Sequence, residues 1–178
     1  MADKRSKVRL VGLETLYYGS ITAARSFITL ASLNQIGNVV PDSAHLSIES
    51  PPVTDIMIEE EDTPDLQILG NRKFSFEFAT RDMGTMTLMA GLGGSVVNTS
   101  GPIWSAPVTS NVITEYGFRA TSKSINGKQL QIDIPRASMR VGGDLKFART
   151  DTGTLTFTCD VLVPESTAQI PPIRICQI

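Results

Sequence analysis

Apolar and polar residues alternate with a period of two through much of the second half of the chain, and that rhythm sets the first expectations for the fold. In KQLQIDIPRASMRVGGDLKFARTDTGTLTFTCDVLVP, residues 128–164, Leu130, Ile132 and Ile134 alternate with Gln129, Gln131 and Asp133. Leu155, Phe157, Cys159, Val161 and Val163 alternate with Thr154, Thr156, Thr158 and Asp160. Successive side chains of a strand point to opposite faces, so each segment can bury one row and show the other to water or to a partner chain. Gly142-Gly143-Asp144 and Thr150-Asp151-Thr152-Gly153 predict turns on either side of Leu145, Lys146 and Phe147, so the whole stretch reads as a β-meander. Upstream, Thr114, Tyr116 and Phe118 form one row of a strand over 112–123, with Glu115 and Arg119 on the other. Asn126-Gly127 then predicts a type I′ hairpin that feeds the meander, because that turn needs positive φ at both central residues.

The first half is more broken. Ala44, Leu46 and Ile48 alternate with His45, Ser47 and Glu49 until Pro51-Pro52 removes ladder donors and stops the strand. Ile56 and Ile58 alternate with Asp55 and Met57, and after Thr63-Pro64-Asp65 the alternation resumes at Leu66, Ile68, Phe74, Phe76 and Phe78. This predicts a long hairpin over 53–72 with an acidic tip at Glu59, Glu60, Glu61, Asp62 and Asp65. Residues 26–40 are rich in β-branched groups of mixed period, broken by Gly37-Asn38, and read as short strands. Residues 80–91 predict the one helix: Thr80 or Asp82 caps it, Met83, Met86, Met89 and Ala90 recur at helical steps, and Gly91 with Gly93-Gly94 stops it. So short a helix is marginal alone, and its Met stripe is expected to plug an open end or face of the β-structure. Residues 95–107, with Gly101-Pro102 and Ala106-Pro107 around Trp104, read as a loop. Residues 1–20 read as an extended N-terminal arm. Residues 165–178 read as a C-terminal extension in which Ile173 and Ile175 alternate with Arg174 and Cys176, an edge strand for its own sheet or a neighbour's. The fold class is mainly β, a β-sandwich or partly closed barrel of antiparallel strands flanked by one short α-helix, in a single domain over 1–178.

Composition narrows the function more than the fold. With 178 residues, 41% hydrophobic and 19% charged, the chain can bury one core. A net charge of −2 gives no general reason to bind nucleic acid or an acidic membrane. The charge is uneven, however: Lys4, Arg5, Lys7 and Arg9 crowd the start, opposite in sign to the acidic tip. Cys159 and Cys176 are too few for a disulfide scaffold, so reduced thiols and folding inside the cell are expected. The start lacks the apolar core of a leader, no apolar run approaches the ~20 residues of a membrane span, and no membrane insertion is expected.

Candidate chemistry is thin. His45 is the only histidine, and it falls on the polar row of a short strand without a Cys or carboxylate at ligand spacing. Gly91-Leu92-Gly93-Gly94 lacks the Lys-Ser/Thr of a phosphate loop. The carboxylates of the acidic tip lack the order of a calcium loop. No catalysis, cofactor or dedicated metal is expected.

Tyr18-Gly19-Ser20-Ile21-Thr22, the acidic segment from Ile56 to Asp65, Phe74-Ser75-Phe76-Glu77-Phe78, the helix ending Met89-Ala90-Gly91-Leu92-Gly93-Gly94, the WSAP of 104–107, Ile134-Pro135-Arg136-Ala137 and the closing 155–164 come in an order that resembles the major tail (tail tube) proteins of long-tailed bacteriophages. The resemblance covers nearly the whole chain and implies a β-sandwich flanked by a helix, six-fold rings of copies joined edge to edge, and a stacked hollow tube that conducts DNA to the host. It implies a place in the virion tail, assembly in the host cytoplasm, and contact with tape-measure, tail-terminator and baseplate or tip proteins. Inner tubes of contractile tails and type VI-like injection machines are related in fold and form the alternative within this class. On this footing Gln129, Gln131 and Asp133, or Thr154, Thr156, Thr158 and Asp160, are the candidates to face a lumen through which DNA slides. The acidic tip and the basic start are the candidate contacts between subunits or rings. The competing class is a β-sandwich adhesive or carbohydrate-binding module, against which stand a single Trp and three Tyr.

Overall fold

The computed structural model describes residues 12–21, 33–56, 66–98, 101–108, 114–147, 152–164 and 170–178. Among them the strands are β1 (Leu13–Ser20), β2 (Asn34–Ile36), β3 (His45–Ile48), β4 (Val53–Ile56), β5 (Leu66–Leu69), β6 (Phe74–Thr80), β7 (Ser95–Asn98), β8 (Pro102–Ser105), β9 (Thr114–Ser122), β10 (Leu130–Phe147), β11 (Thr152–Val161) and β12 (Arg174–Gln177), with one helix, α1 (Thr85–Leu92). All ladders between them are antiparallel. The main sheet runs β2-β1-β9-β10-β11-β6-β3, with β12 also on β10, and β4-β5 and β7-β8 form separate two-stranded ribbons.

The alternating apolar rows become the core. Leu16 and Tyr18 of β1, Phe76 and Phe78 of β6, Phe118 of β9, Ile132 and Ile134 of β10, and Leu155, Phe157 and Cys159 of β11 join one buried cluster. Strands β9 and β6 lie three places apart, roughly 14 Å in a flat sheet. Yet the Phe118 ring lies 6.3 Å from that of Phe76 and 6.2 Å from that of Phe78. The sheet therefore folds over and packs its inner row against itself. Phe78 and Phe157, cross-strand partners, stack with centroids 4.7 Å apart, and burying one such ring contributes about 1.5–3 kcal/mol.

No ladder joins β2 to β3, so the sheet is not closed into a barrel. Residues 37–44 cross that seam instead. Val40 N–H donates to Ala79 O and Arg81 N–H to Asn38 O, while the buried Thr80 hydroxyl donates to Gly37 O at 2.7 Å.

Several sequence expectations change here. The predicted turn at Gly142-Gly143-Asp144 does not form, and β10 runs unbroken for 18 residues. Gly143 serves close approach: a Cβ there would lie 2.3 Å from Thr154 O of β11. A bulge at Pro135-Arg136 shifts the pairing of β10 with β9 by one residue and moves the inward row from Ile132 and Ile134 to Ala137 and Met139. The helix begins at Thr85, not Thr80. Thr80 stays in β6, paired with Leu155 and Val39, and its hydroxyl accepts from Asp82 N–H at 2.9 Å. Asp82 holds the first turn from outside, accepting from Gly84 N–H and the Thr87 hydroxyl at 2.9 Å each. Thr87 and Ala90 are the buried helix residues, whereas Met86 of the predicted Met stripe is exposed. The glycine stop forms at Gly93, with φ of 71° and its N–H bonded to Met89 O. Gly91 lies inside the helix and lets it sit down on the core, since a Cβ there would lie 2.7 Å from Val141 and 2.9 Å from Phe157.

Residues 95–107 carry the β7–β8 ribbon, not only loop, and Trp104 anchors it by donating from Nε1 to Gly93 O at 2.8 Å. Residues 13–20, read as the end of an arm, form a sheet strand with Leu16 fully buried. The type I′ hairpin forms as predicted, with φ of 54° at Asn126 and 74° at Gly127 and reciprocal Ile125–Lys128 bonds of 3.0 and 3.1 Å.

Candidate functional site

The outward rows of β3, β6, β11, β10 and β9 are aligned by register into one polar face. His45 faces Glu77, Glu77 faces Thr158, and Thr158 faces Arg140. Beside them Ser47, Ser75, Asp160, Ser138 and Glu115 run across the same strands. Thr154 and Thr158 are half-buried and Thr156 is exposed. Asp160 is ion-paired with Arg140.

Charges on this face are compensated locally. Arg136 donates from Nε and Nη2 to the two Glu115 oxygens at 2.8 and 2.9 Å. That bidentate hydrogen bond, more than the charge itself, holds the Glu115 carboxyl below the usual carboxylate range. His45 spends both ring nitrogens, Nδ1 toward Ser43 O at 3.1 Å and Nε2 on Glu77 at 3.2 Å.

At the far end of β10 the arrangement differs from the expected water-facing row. Asp133 is buried, with its side chain only 4% exposed. It accepts from Arg119 Nε at 2.6 Å, Arg174 Nη2 at 2.7 Å and Gln131 Nε2 at 2.9 Å. Burial alone would raise its pKa, but the hydrogen bonds from Arg119, Arg174 and Gln131 outweigh it and hold the carboxyl below the ordinary value. Asp133 is thus a structural ion-pair centre whose oxygens are spent within the chain. Gln129 and Gln131 beside it are half-buried, with Gln129 bonded to Glu14.

A two-residue turn continued in straight register would set Arg119 opposite Ile134, so side-chain rhythm alone does not reveal this cluster. Ile125 faces Lys128 across the turn, yet Thr121 faces Gln131. Three residues on one side oppose two on the other, and the buried Ser122 hydroxyl accepts from Leu130 N–H at 2.9 Å at that irregularity. Only this one-residue shift sets Arg119 opposite Asp133.

The second feature is apolar. In the β4–β5 ribbon Val53 faces Leu69, Thr54 faces Ile68, Asp55 faces Gln67 and Ile56 faces Leu66. All of these residues are exposed, with Ile56 at 42%, Ile68 at 51% and Leu66 at 53%. Ile56, Leu66 and Ile68 share one face of the ribbon. The β7–β8 ribbon likewise presents the cross-strand pair Val97 and Ile103 to solvent. The acidic tip, Glu59, Glu60, Glu61, Asp62 and Asp65, and the basic start, Lys4, Arg5, Lys7 and Arg9, lie outside the described residues.

A cleft of about 590 Å³ opens at the seam, lined by Leu16, Ile36, Leu46 and Phe76 together with Glu14 and Lys123. His45 also borders it but is engaged as described. Among the described residues no three His, Cys, Asp or Glu side chains are grouped to hold a metal. No protein-family model matches the chain, and no curated protein sequence is significantly similar to it.

Proposed function

We propose that the chain is the repeating structural subunit of a phage tail tube, in which copies form six-fold rings that stack into a hollow cylinder and conduct DNA. The β4–β5 ribbon carries this reading. A lone two-stranded ribbon is marginal in water, and one with an open apolar face gains stability only by lying against another surface. Copies of the same chain supply that surface in any ring or stack. Among the described residues β2 and β3 end the sheet, and this supports the same conclusion, since an outer strand edge is a template for a neighbouring strand.

The polar face supports passage of DNA without capture. Arginines bind phosphate by releasing counterions, but here Arg136 and Arg140 are held by Glu115 and Asp160. Thr154, Thr156, Thr158 and Asp160 therefore fit a lumen wall better than Asp133, which is buried. The acidic tip and basic start, opposite in charge, are suited to meet between copies.

The test is the state of purified protein across a concentration series, followed by size-exclusion chromatography with light scattering and by negative-stain microscopy. Rings or cylinders are expected. Substituting Ile56→Thr, Leu66→Thr and Ile68→Thr together is expected to leave folded monomers. A monodisperse monomer at every concentration, with no annular or cylindrical polymer in its native source, overturns the proposal.

A further inference from the structure

The chain leading to the C-terminal strand is longer than the strand's position requires. The β11 ladder ends where Leu162 N–H donates to Arg136 O at 3.0 Å. Strand β12 then resumes on the same edge of β10, with Arg174 opposite Asp133. Those two points on β10 are three residues apart, about 10 Å at strand spacing. The connecting residues 163–173 could span up to about 36 Å, roughly three times the gap. Pro164, Pro171 and Pro172 lie within that connection.

The strand itself fits a defined socket. Arg174–Gln177 pairs with Leu130–Asp133, and Gln129 and Ile178 exchange both N–H···O bonds at 3.0 Å. At one end of this ladder Asp133 waits as a buried carboxylate, already braced by Arg119 and Gln131, and receives Arg174. The apolar side chains of the strand add little, since Ile175 and Ile178 remain 56% and 55% exposed. The ladder and the Arg174 contact are both made to β10, so an identical strand from another copy makes them equally well.

We infer that β12 is an exchangeable strand, and that the Leu130–Asp133 edge of β10, with Asp133 reading an arginine, is a socket for residues 173–178 of a second copy. The inference rests on the reading that copies of this chain assemble, and it names how they are tied. Once copies stand side by side, a neighbour's strand competes with the chain's own wherever the end of the neighbour's β11 lies within the tether's reach of about 36 Å. Exchange then threads each subunit into the next without a new interface.

Two single-cysteine probes separate exchange from self-pairing. Leu130 and Gln177 face each other beside the bonded pair Gln129–Ile178, which makes them a non-hydrogen-bonded pair with close Cβ atoms, suited to a disulfide. In a Cys176→Ser background, one chain carries Leu130→Cys and a second carries Gln177→Cys. Cys159 stays silent, because burial pushes its thiol up to about 12. The two chains are refolded together, concentrated and oxidised by air with a copper catalyst, and the products are read on a non-reducing gel. A disulfide-linked pair of the two chains is expected, falling at least tenfold with Arg174→Glu on the donor and retained with Arg174→Lys. A single chain carrying both cysteines reports whether the ladder has formed. If that chain closes its disulfide internally while the mixture yields no linked pair, exchange is refuted. Rings without linked pairs refute exchange and leave the tube reading intact, whereas linked pairs without rings uphold exchange and remove the tube.

Discussion

The β4–β5 ribbon and the β10–β11 ladder carry the same apolar–polar alternation and meet opposite fates. In β11, Leu155, Phe157 and Cys159 are 3%, 1% and 0% exposed; in the ribbon every residue is open to solvent. Alternation specifies a strand with two faces, but burial needs an opposing layer, and topology decides whether one arrives. The inner row of β11 is covered because the sheet folds over, bringing β9 against β6 around one shared cluster. The ribbon pairs only with itself, after Pro51-Pro52, and no layer of the described chain covers it. An apolar row without a layer marks a surface for another molecule; the same row with one marks a core.

The contrast is broken hardest at Phe157. Phe157→Ala removes the ring stacked on Phe78 and is expected to cost about 3–5 kcal/mol, read as a lowered urea midpoint. Next is Asp133→Asn, which leaves Arg119 and Arg174 short of a charge in a buried site and should cost about 3 kcal/mol at neutral pH. Because the folded carboxyl titrates below its unfolded value, the stabilisation by Asp133 is fully present above about pH 4 and disappears as pH falls through the lower folded value. The stability gap between wild type and Asp133→Asn should therefore be constant from pH 5 to 8 and shrink below pH 4; a gap that widened in acid would contradict the ion-pair assignment. Gly91→Ala pushes a methyl into Val141 and Phe157 and is expected to cost about 1–3 kcal/mol, checked by thermal unfolding. Smallest for the monomer is Ile68→Thr on the ribbon, within about 0.5 kcal/mol. If the ribbon substitution destabilised the monomer as much as Phe157→Ala, the ribbon would be part of the core and the contrast would fail.

Much of the main sheet was legible from side-chain rhythm. The inward rows of Phe76 and Phe78, Ile132 and Ile134, and Leu155 through Cys159 follow from alternation alone, and Asn126-Gly127 placed its turn without help. What the sequence concealed were departures from regularity. Gly142-Gly143 looks like a turn because glycine permits one, whereas here Gly143 lets β11 approach; only the neighbouring backbone separates the two uses. Asp133 looks like a solvated group because it shares its row with Gln129 and Gln131, whereas its neighbours in space are two arginines, one brought in by a register shift and one by the C-terminal strand. The ribbon's alternation says nothing of its exposure, because periodicity carries no information about which layers meet.

The pairing of β1 with β9 also governs the order in which the chain can mature. Tyr18 lies opposite Phe118, a hundred positions later, so during synthesis the first core strand has no long-range partner until most of the polypeptide has left the ribosome. Until then only short-range hairpins and the β3–β6 ladder are available. Such distant pairings slow folding relative to helical proteins of similar size. A half-made chain therefore spends its time on the ribosome with Leu16 and Tyr18 uncovered, and truncation before residue 114 should yield an aggregating fragment and not a smaller stable domain.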